Sequence, residues 1–306
     1  MKISRVACVA RITWIIRIAR FAVVLLAAVL QPAQAMAQTR TPPSPGILAP
    51  GPGPAGAKGA PKGADAGFMK DLDALRDTVY GYTLAPAETA VLADSLSARA
   101  QTLPMNPRDR NLILSRIEYL AGRAWQPLEN SLSEKAEAAL LWPGDKKKAI
   151  ARHEAAIAYA KASMQENEHA EGWMAQAAPL SQICTMKDIT FLVLNGPKVG
   201  QYAQKALKLD PAHVGARITL AVSKAYPPAM FGGNPAEAIR ELLAILDSRP
   251  QGFEKDELFD LRAGIGTAYS KLNDAAGTRL WFSLALELYP GNAYAKQELA
   301  KSGGAK

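Results

Sequence analysis

From Phe68 onward, apolar residues recur every three to four positions with polar residues between them, and no stretch alternates convincingly at a period of two. The pattern predicts helices over 68–80, 86–101, 107–124, 128–141, 145–166 and 171–186. It continues with helices over 197–209, 211–226, 235–246, 255–271, 274–289 and 292–300. Only 189–194 (ITFLVL) is ambiguous between helix and strand. Breaks fall at Pro, Gly or Asn, and Pro107, Pro197, Pro211 and Pro235 suit a first helical turn, where the missing N–H costs nothing. An all-α fold follows.

Upstream of Phe68 the character of the sequence changes. Lys2, Arg5, Arg11, Arg17 and Arg20 stand without an acidic residue around and ahead of an uninterrupted apolar run, FAVVLLAAVL over 21–30. Ala33-Gln34-Ala35 or Ala35-Met36-Ala37 follows as an A-x-A cleavage site. This is the pattern of a signal peptide over 1–37, with a mature start near Met36 or Gln38 and a periplasmic or secreted address. An uncleaved anchor needs about 20 apolar residues, a length reached only by including 12–18 and its Arg17. Residues 38–67 are dense in Pro, Gly and Ala, leaving few side chains to bury against backbone entropy, so a disordered linker is expected. Gly51, Gly53 and Gly56 have dinucleotide-fingerprint spacing, but no strand precedes them and no helix follows.

The formal net charge of +8 suggests nucleic acid until it is located. The leader holds five basic residues and no acidic one, and Arg40, Lys58 and Lys62 face only Asp65 in the linker, leaving about +1 from Phe68 onward. So nearly neutral a domain lacks a footprint for phosphates, and no nucleic-acid partner is expected. With Cys8 in the leader, Cys184 is the single cysteine of the mature chain, which therefore has no internal disulfide.

Repeats carry the fold further. In 260–290, Ile265-Gly266, Tyr269, Phe282, Ala285 and Pro290 have the spacing L-G-x2-Y … F-x2-A … P. Gly266 and Ala285 let two helices approach, Tyr269 and Phe282 fill the space between them, and Pro290 ends the second. Thr278 and Arg262 depart from the usual alanine and tryptophan. Ala238, Leu242 and Pro250 repeat the second-helix spacing, as do Ala203, Ala206 and Pro211. The segment YAKASMQENEHAEGW echoes it again, placing Tyr159 over Tyr202 and Asn167 over Asp210. These strings resemble the tetratricopeptide (TPR) family. The resemblance implies an α-solenoid of about four antiparallel helix pairs over 143–302, after an N-terminal helical region over 68–142 without visible repeats.

Matching residue by residue to that family places Glu171, Met174, Ser181, Gln182, Ile218, Val222, Tyr226, Asp260, Ala263, Thr267, Ser270 and Lys271 along the concave face. Such a groove implies a protein or peptide partner in the cell envelope. Asn, Lys and Arg do not cluster there as in TPR domains that clamp a C-terminal carboxylate. The lengthened loop PPAMFGGN over 227–234 resembles that of the periplasmic TPR-like T components of TRAP-type transporters. That resemblance implies solute handling, with Tyr226, Met230 and Phe231 walling a pocket for a small apolar ligand and Asn234 capping the next helix.

Catalytic signatures are missing. His153-Glu154 starts like a zinc-protease motif, but Ile157 stands where the second histidine is required, so no metal is expected and His153 reads as a surface residue. His169 and His213 fall at equivalent helix starts, and Cys184 reads as a buried apolar cysteine. No G-x-S-x-G or P-loop is present. The reading is a binding protein without cofactor, not an enzyme.

Overall fold

The computed structural model describes residues 61–129, 140–227, 232–248 and 252–303. The leader, linker residues 38–60, and Met230 and Phe231 lie outside them. The described chain is helical apart from two short strands: α1 (Ala66–Gly81), α2 (Pro86–Thr102), α3 (Pro107–Trp125), β1 (Leu128–Glu129), β2 (Leu140–Trp142), α4 (Lys146–Ala162), α5 (Ala170–Met186), α6 (Ile189–Leu209), α7 (Val214–Ser223), α8 (Pro235–Asp247), α9 (Lys255–Lys271), α10 (Ala275–Leu288) and α11 (Ala293–Gly303). Among the described residues no helix is long and apolar enough to cross a membrane.

Helix starts follow from side chains that accept an otherwise unpaired backbone N–H. Asp65, Asn106, Asp188, Asn234 and Asp274 accept from Phe68, Asp109, Phe191, Glu237 and Gly277. His169 and His213 do so through Nδ1, from Gly172 at 3.0 Å and Ala216 at 3.3 Å. The equivalent histidines of two repeats are thus helix caps.

Successive helices run against one another in opposite directions. Between α9 and α10, Tyr269 meets Gly277, Gly266 meets Phe282, and Phe259 meets Tyr289, so one number rises as the other falls. The same holds for Ser115 with Ala156 and Gly122 with His153 between α3 and α4, and for Arg217 with Ser248 and Lys224 with Glu241 between α7 and α8. A Cβ on Gly266 would stand 2.9 Å from the Phe282 ring, which is why only glycine fits there.

Three expectations change. Residues 128–141 do not form one helix, because Pro127 interrupts the backbone donors after α3 and the described ends pair as strands, Leu128 with Trp142 and Glu129 with Leu140. Trp142 Nε1 and Asp145 N then bond the Ala124 and Trp125 carbonyls at the end of α3. Second, Pro197 and Pro211 do not start helices; α6 begins at Asp188's cap and runs through Pro197, and α7 begins at Val214 behind the His213 cap, with Pro211 in the turn before it. The carbonyl of Val193 that Pro197 leaves without a donor lies on an exposed turn, where water can serve it. Third, His153 is fully buried, wedged against Gly122 with neither ring nitrogen hydrogen-bonded.

The boundary at 142 separates nothing in the packing. α3 and α4 share an extensive interface, and one core contains Phe68, Leu72, Leu75 and Tyr80 of α1 together with Phe259, Phe282, Tyr289 and Ala295. Tyr80 packs edge-on to Phe259 and stacks on Tyr289, at centroid distances of 5.5 and 5.2 Å. Asn292 Nδ2 donates to the Tyr80 carbonyl at 2.8 Å, while Lys255 and the Tyr289 hydroxyl hold Asp77 at 2.9 and 3.1 Å. The first helix is therefore seated against the last three.

Candidate functional site

Seating α1 there brings polar and aromatic side chains from four helices together. Tyr80 donates from its hydroxyl to Asp260 Oδ2 at 3.1 Å. Arg123, one turn after Tyr119 on α3, lies over the Tyr80 ring with its guanidinium carbon 4.4 Å from the centroid. Its one hydrogen bond among the described residues goes to the Tyr119 hydroxyl at 3.4 Å, and no described carboxylate pairs with it. On the other side, the Tyr294 hydroxyl shares a hydrogen bond with Thr267 Oγ1 at 3.2 Å. Tyr82, in a left-handed conformation at the end of α1 (φ 53°), packs edge-on against Trp142.

Tyr82, Tyr119, Arg123, Asp260 and Tyr294 are each half-buried, and Tyr226, just beyond α7, is 57% exposed. They nevertheless feel one another. Burial raises the Tyr226 phenol, and Glu298 and Asp260 add to it. Burial likewise raises Tyr294 above the usual phenol range, with Tyr226 among the neighbours that contribute. Burial pushes the Asp260 carboxyl up to about 6; Asp256 and Glu257 reinforce this, and Arg123 and the Tyr80 hydrogen bond oppose it. These side chains touch water yet are desolvated by their surroundings, and together they form one polar and aromatic cluster, called the cleft below. Its chemistry suits recognition: phenol rings as walls, one guanidinium with donors to spare, and one carboxyl near its titration point.

No protein-family model matches the chain, and no curated protein matches it. Function is therefore argued from the cleft.

Of the residues expected on the concave face, Tyr226 and Asp260 are electrostatic neighbours and Thr267 bonds the Tyr294 hydroxyl, although Thr267 is itself buried and bonded back to the Ala263 carbonyl. Ile218 and Ala263 are buried in the core, and half-buried Val222 packs on Gly264. Glu171 is exposed beside the His213 ring at 3.4 Å, and Met174 packs with Trp173, Ala203 and Ala216. Ser181 bonds the Ala178 carbonyl, Gln182 accepts from Thr185, Ser270 is half-buried, and Lys271 is exposed. Asn234 caps α8 as expected. Tyr80, Tyr82, Tyr119, Arg123 and Tyr294 escaped the sequence reading because four of the five lie before any repeat and only tertiary packing assembles them. Among the described residues, no three His, Cys, Asp or Glu side chains could together hold a metal ion. Cys184 is buried, which pushes its thiol up, so it is a poor nucleophile.

Asp260 yields a direct test. Its folded-state value of about 6 exceeds the ordinary 3.8, so its contribution to stability is complete below about pH 4 and is lost as pH rises through 6. Asp260→Asn should raise stability at pH 7 by about 1–2 kcal/mol and flatten the pH dependence between 4 and 6. Melting curves from pH 3.5 to 7.5 measure it. A variant less stable than the parent at pH 7 would show that the carboxylate is a net stabilising partner of Arg123.

Proposed function

We propose that this is an exported, non-catalytic binding protein built of stacked antiparallel helix pairs in the TPR manner, whose cleft grips an extended segment of another envelope protein. Export rests on the sequence of 1–37. The observation that carries the binding reading is Tyr226, more than half exposed and close enough to Asp260 and Tyr294 for their charges to be felt. Tyrosine supplies large contact area with few rotatable bonds, so exposed tyrosines in a concavity favour binding at low entropic cost.

A photo-crosslinking amino acid at position 226, expressed in the source cell, is expected to capture a discrete partner, whereas the same probe at exposed Val91 on α2 captures none. Substituting Tyr226 and Lys271 together by alanine should remove that partner from envelope co-purifications. An unchanged partner set would refute the reading.

Arg123 favours a second reading, solute handling of the TRAP T-component kind. A stacked guanidinium with uncommitted donors is suited to a small carboxylate-bearing ligand. Native mass spectrometry of protein from its own periplasm separates the two, since a bound solute appears as a discrete mass addition that Arg123→Gln removes.

A further inference from the structure

The first two turns of α6 lack a core of their own. Ile189, Leu192, Val193 and Leu194 are 52, 42, 44 and 67% exposed, and Phe191 is half-buried. Ala203 and Ala206, far along the helix, are its fully buried residues, while its beginning leaves most of its apolar side chains in water. Four of the ten large apolar side chains exposed among the described residues thus fall within six consecutive positions. Isolated exposed apolar residues are ordinary, but a contiguous cluster marks an interaction site.

Direction around the helix decides the kind of partner. At about 100° per residue, Ile189, Leu192 and Val193 share one side, while Phe191 and Leu194 point away from it. A helix laid in a protein groove needs one apolar face; one that is apolar all round suits an apolar medium. The charge agrees. From Ile189 to Leu209 there is no acidic residue, and Lys198, Lys205 and Lys208 are exposed. None of the three forms an ion pair among the described residues, although Lys198 donates to Asn195 Oδ1 at 2.8 Å and Lys205 lies 3.9 Å over the Trp173 ring. Lys187, just ahead of the helix, is already held by Glu154 at 3.2 Å, and the acidic Asp188 is taken up in capping the helix start.

We propose that this apolar tip inserts into the headgroup region of an anionic lipid bilayer, with Lys198, Lys205 and Lys208 turned toward the lipid phosphates. Membrane docking is independent of the cleft and would keep it next to envelope partners.

The test reads the tip itself, so that the apolar run over 21–30 cannot supply the signal. The whole chain with Cys8→Ser and Leu194→Cys carries an environment-sensitive fluorophore at position 194, and the same chain without the introduced cysteine gives the background. On phosphatidylglycerol vesicles the emission is expected to shift to the blue and rise several-fold. Leu192→Glu, at another exposed position, should weaken this partition at least tenfold, and each Lys→Gln among the three by about fivefold. Emission that stays water-like at saturating vesicle overturns the proposal. So does a blue shift that appears without vesicles and grows with protein concentration, which would place a second copy on the tip. Equal partition onto phosphatidylcholine would overturn the role given to the lysines.

Discussion

Replacing Tyr80 by alanine should lower the melting temperature by about 10 °C, from a loss of about 3–5 kcal/mol. The side chain is 2% exposed and joins both ends of the fold. Its ring stacks on Tyr289, meets Phe259 edge-on and carries the Arg123 guanidinium. Truncation leaves a cavity that α1 and α9 cannot both collapse to fill, and it leaves Asp260 without its hydroxyl donor. Tyr80→Phe separates the two contributions. It keeps the packing and loses only a hydrogen bond to a carboxyl, about 1.5–3 kcal/mol. Calorimetry of both variants decides: a phenylalanine variant as unstable as the alanine one would mean that the hydroxyl, and not the ring, holds the joint.

The second large effect is a gain. His153→Leu is expected to stabilise the protein at pH 7 by about 1–3 kcal/mol, because it removes a buried ring whose two nitrogens have no hydrogen-bond partner. In acid the gain grows. Burial, with Arg123 adding repulsion, lowers the His153 imidazole from its ordinary 6.5 to about 3. The unfolded chain therefore takes up this proton first, and the stability that the neutral ring preserves above pH 6.5 is lost as pH falls toward 3, by up to about 4 kcal/mol. The leucine variant should lose this slope while keeping those of the carboxylates. Denaturant titrations at pH 7, 6, 5 and 4 test it; parallel curves for variant and parent would mean that the imidazole finds a partner or that water reaches it. Asp260 acts with the opposite sign, losing its contribution as pH rises, so the two groups narrow the optimum from both sides.

The α9–α10 pair was the most legible part of the chain, because its signals are local. Gly266 against Phe282 and Gly277 against Tyr269 are contacts between neighbours in sequence. Even the departures from the repeat pattern have short-range explanations. Thr278 hydrogen-bonds the Asp274 carbonyl at 2.7 Å, and Arg262 reaches the Leu284 carbonyl at 2.6 Å from a buried position. Helix type and approximate bounds were also readable from periodicity elsewhere, except where Pro127 and Pro197 gave ambiguous punctuation. The cleft was readable only in part. Tyr226 and Asp260 follow from the repeat pattern, but Arg123 and Tyr119 belong to α3, whose partnership with α4 no repeated string announces. His153 looked like a surface residue because its neighbours alternate Ala and charge. Only the small Gly122 opposite makes room for its ring, and that pairing is a matter of tertiary register.

The seating of α1 against the last helices also bears on how the molecule is made. Tyr80 and Asn292 are 212 residues apart in sequence, as are Asp77 and Tyr289. An open array of repeats folds one unit at a time, each stabilised by the unit before it. Here the helix synthesised first finds its final partners only when the last have left the ribosome. Bonds that span the chain in this way couple its ends, so the described domain should melt as one cooperative unit instead of unravelling from one end.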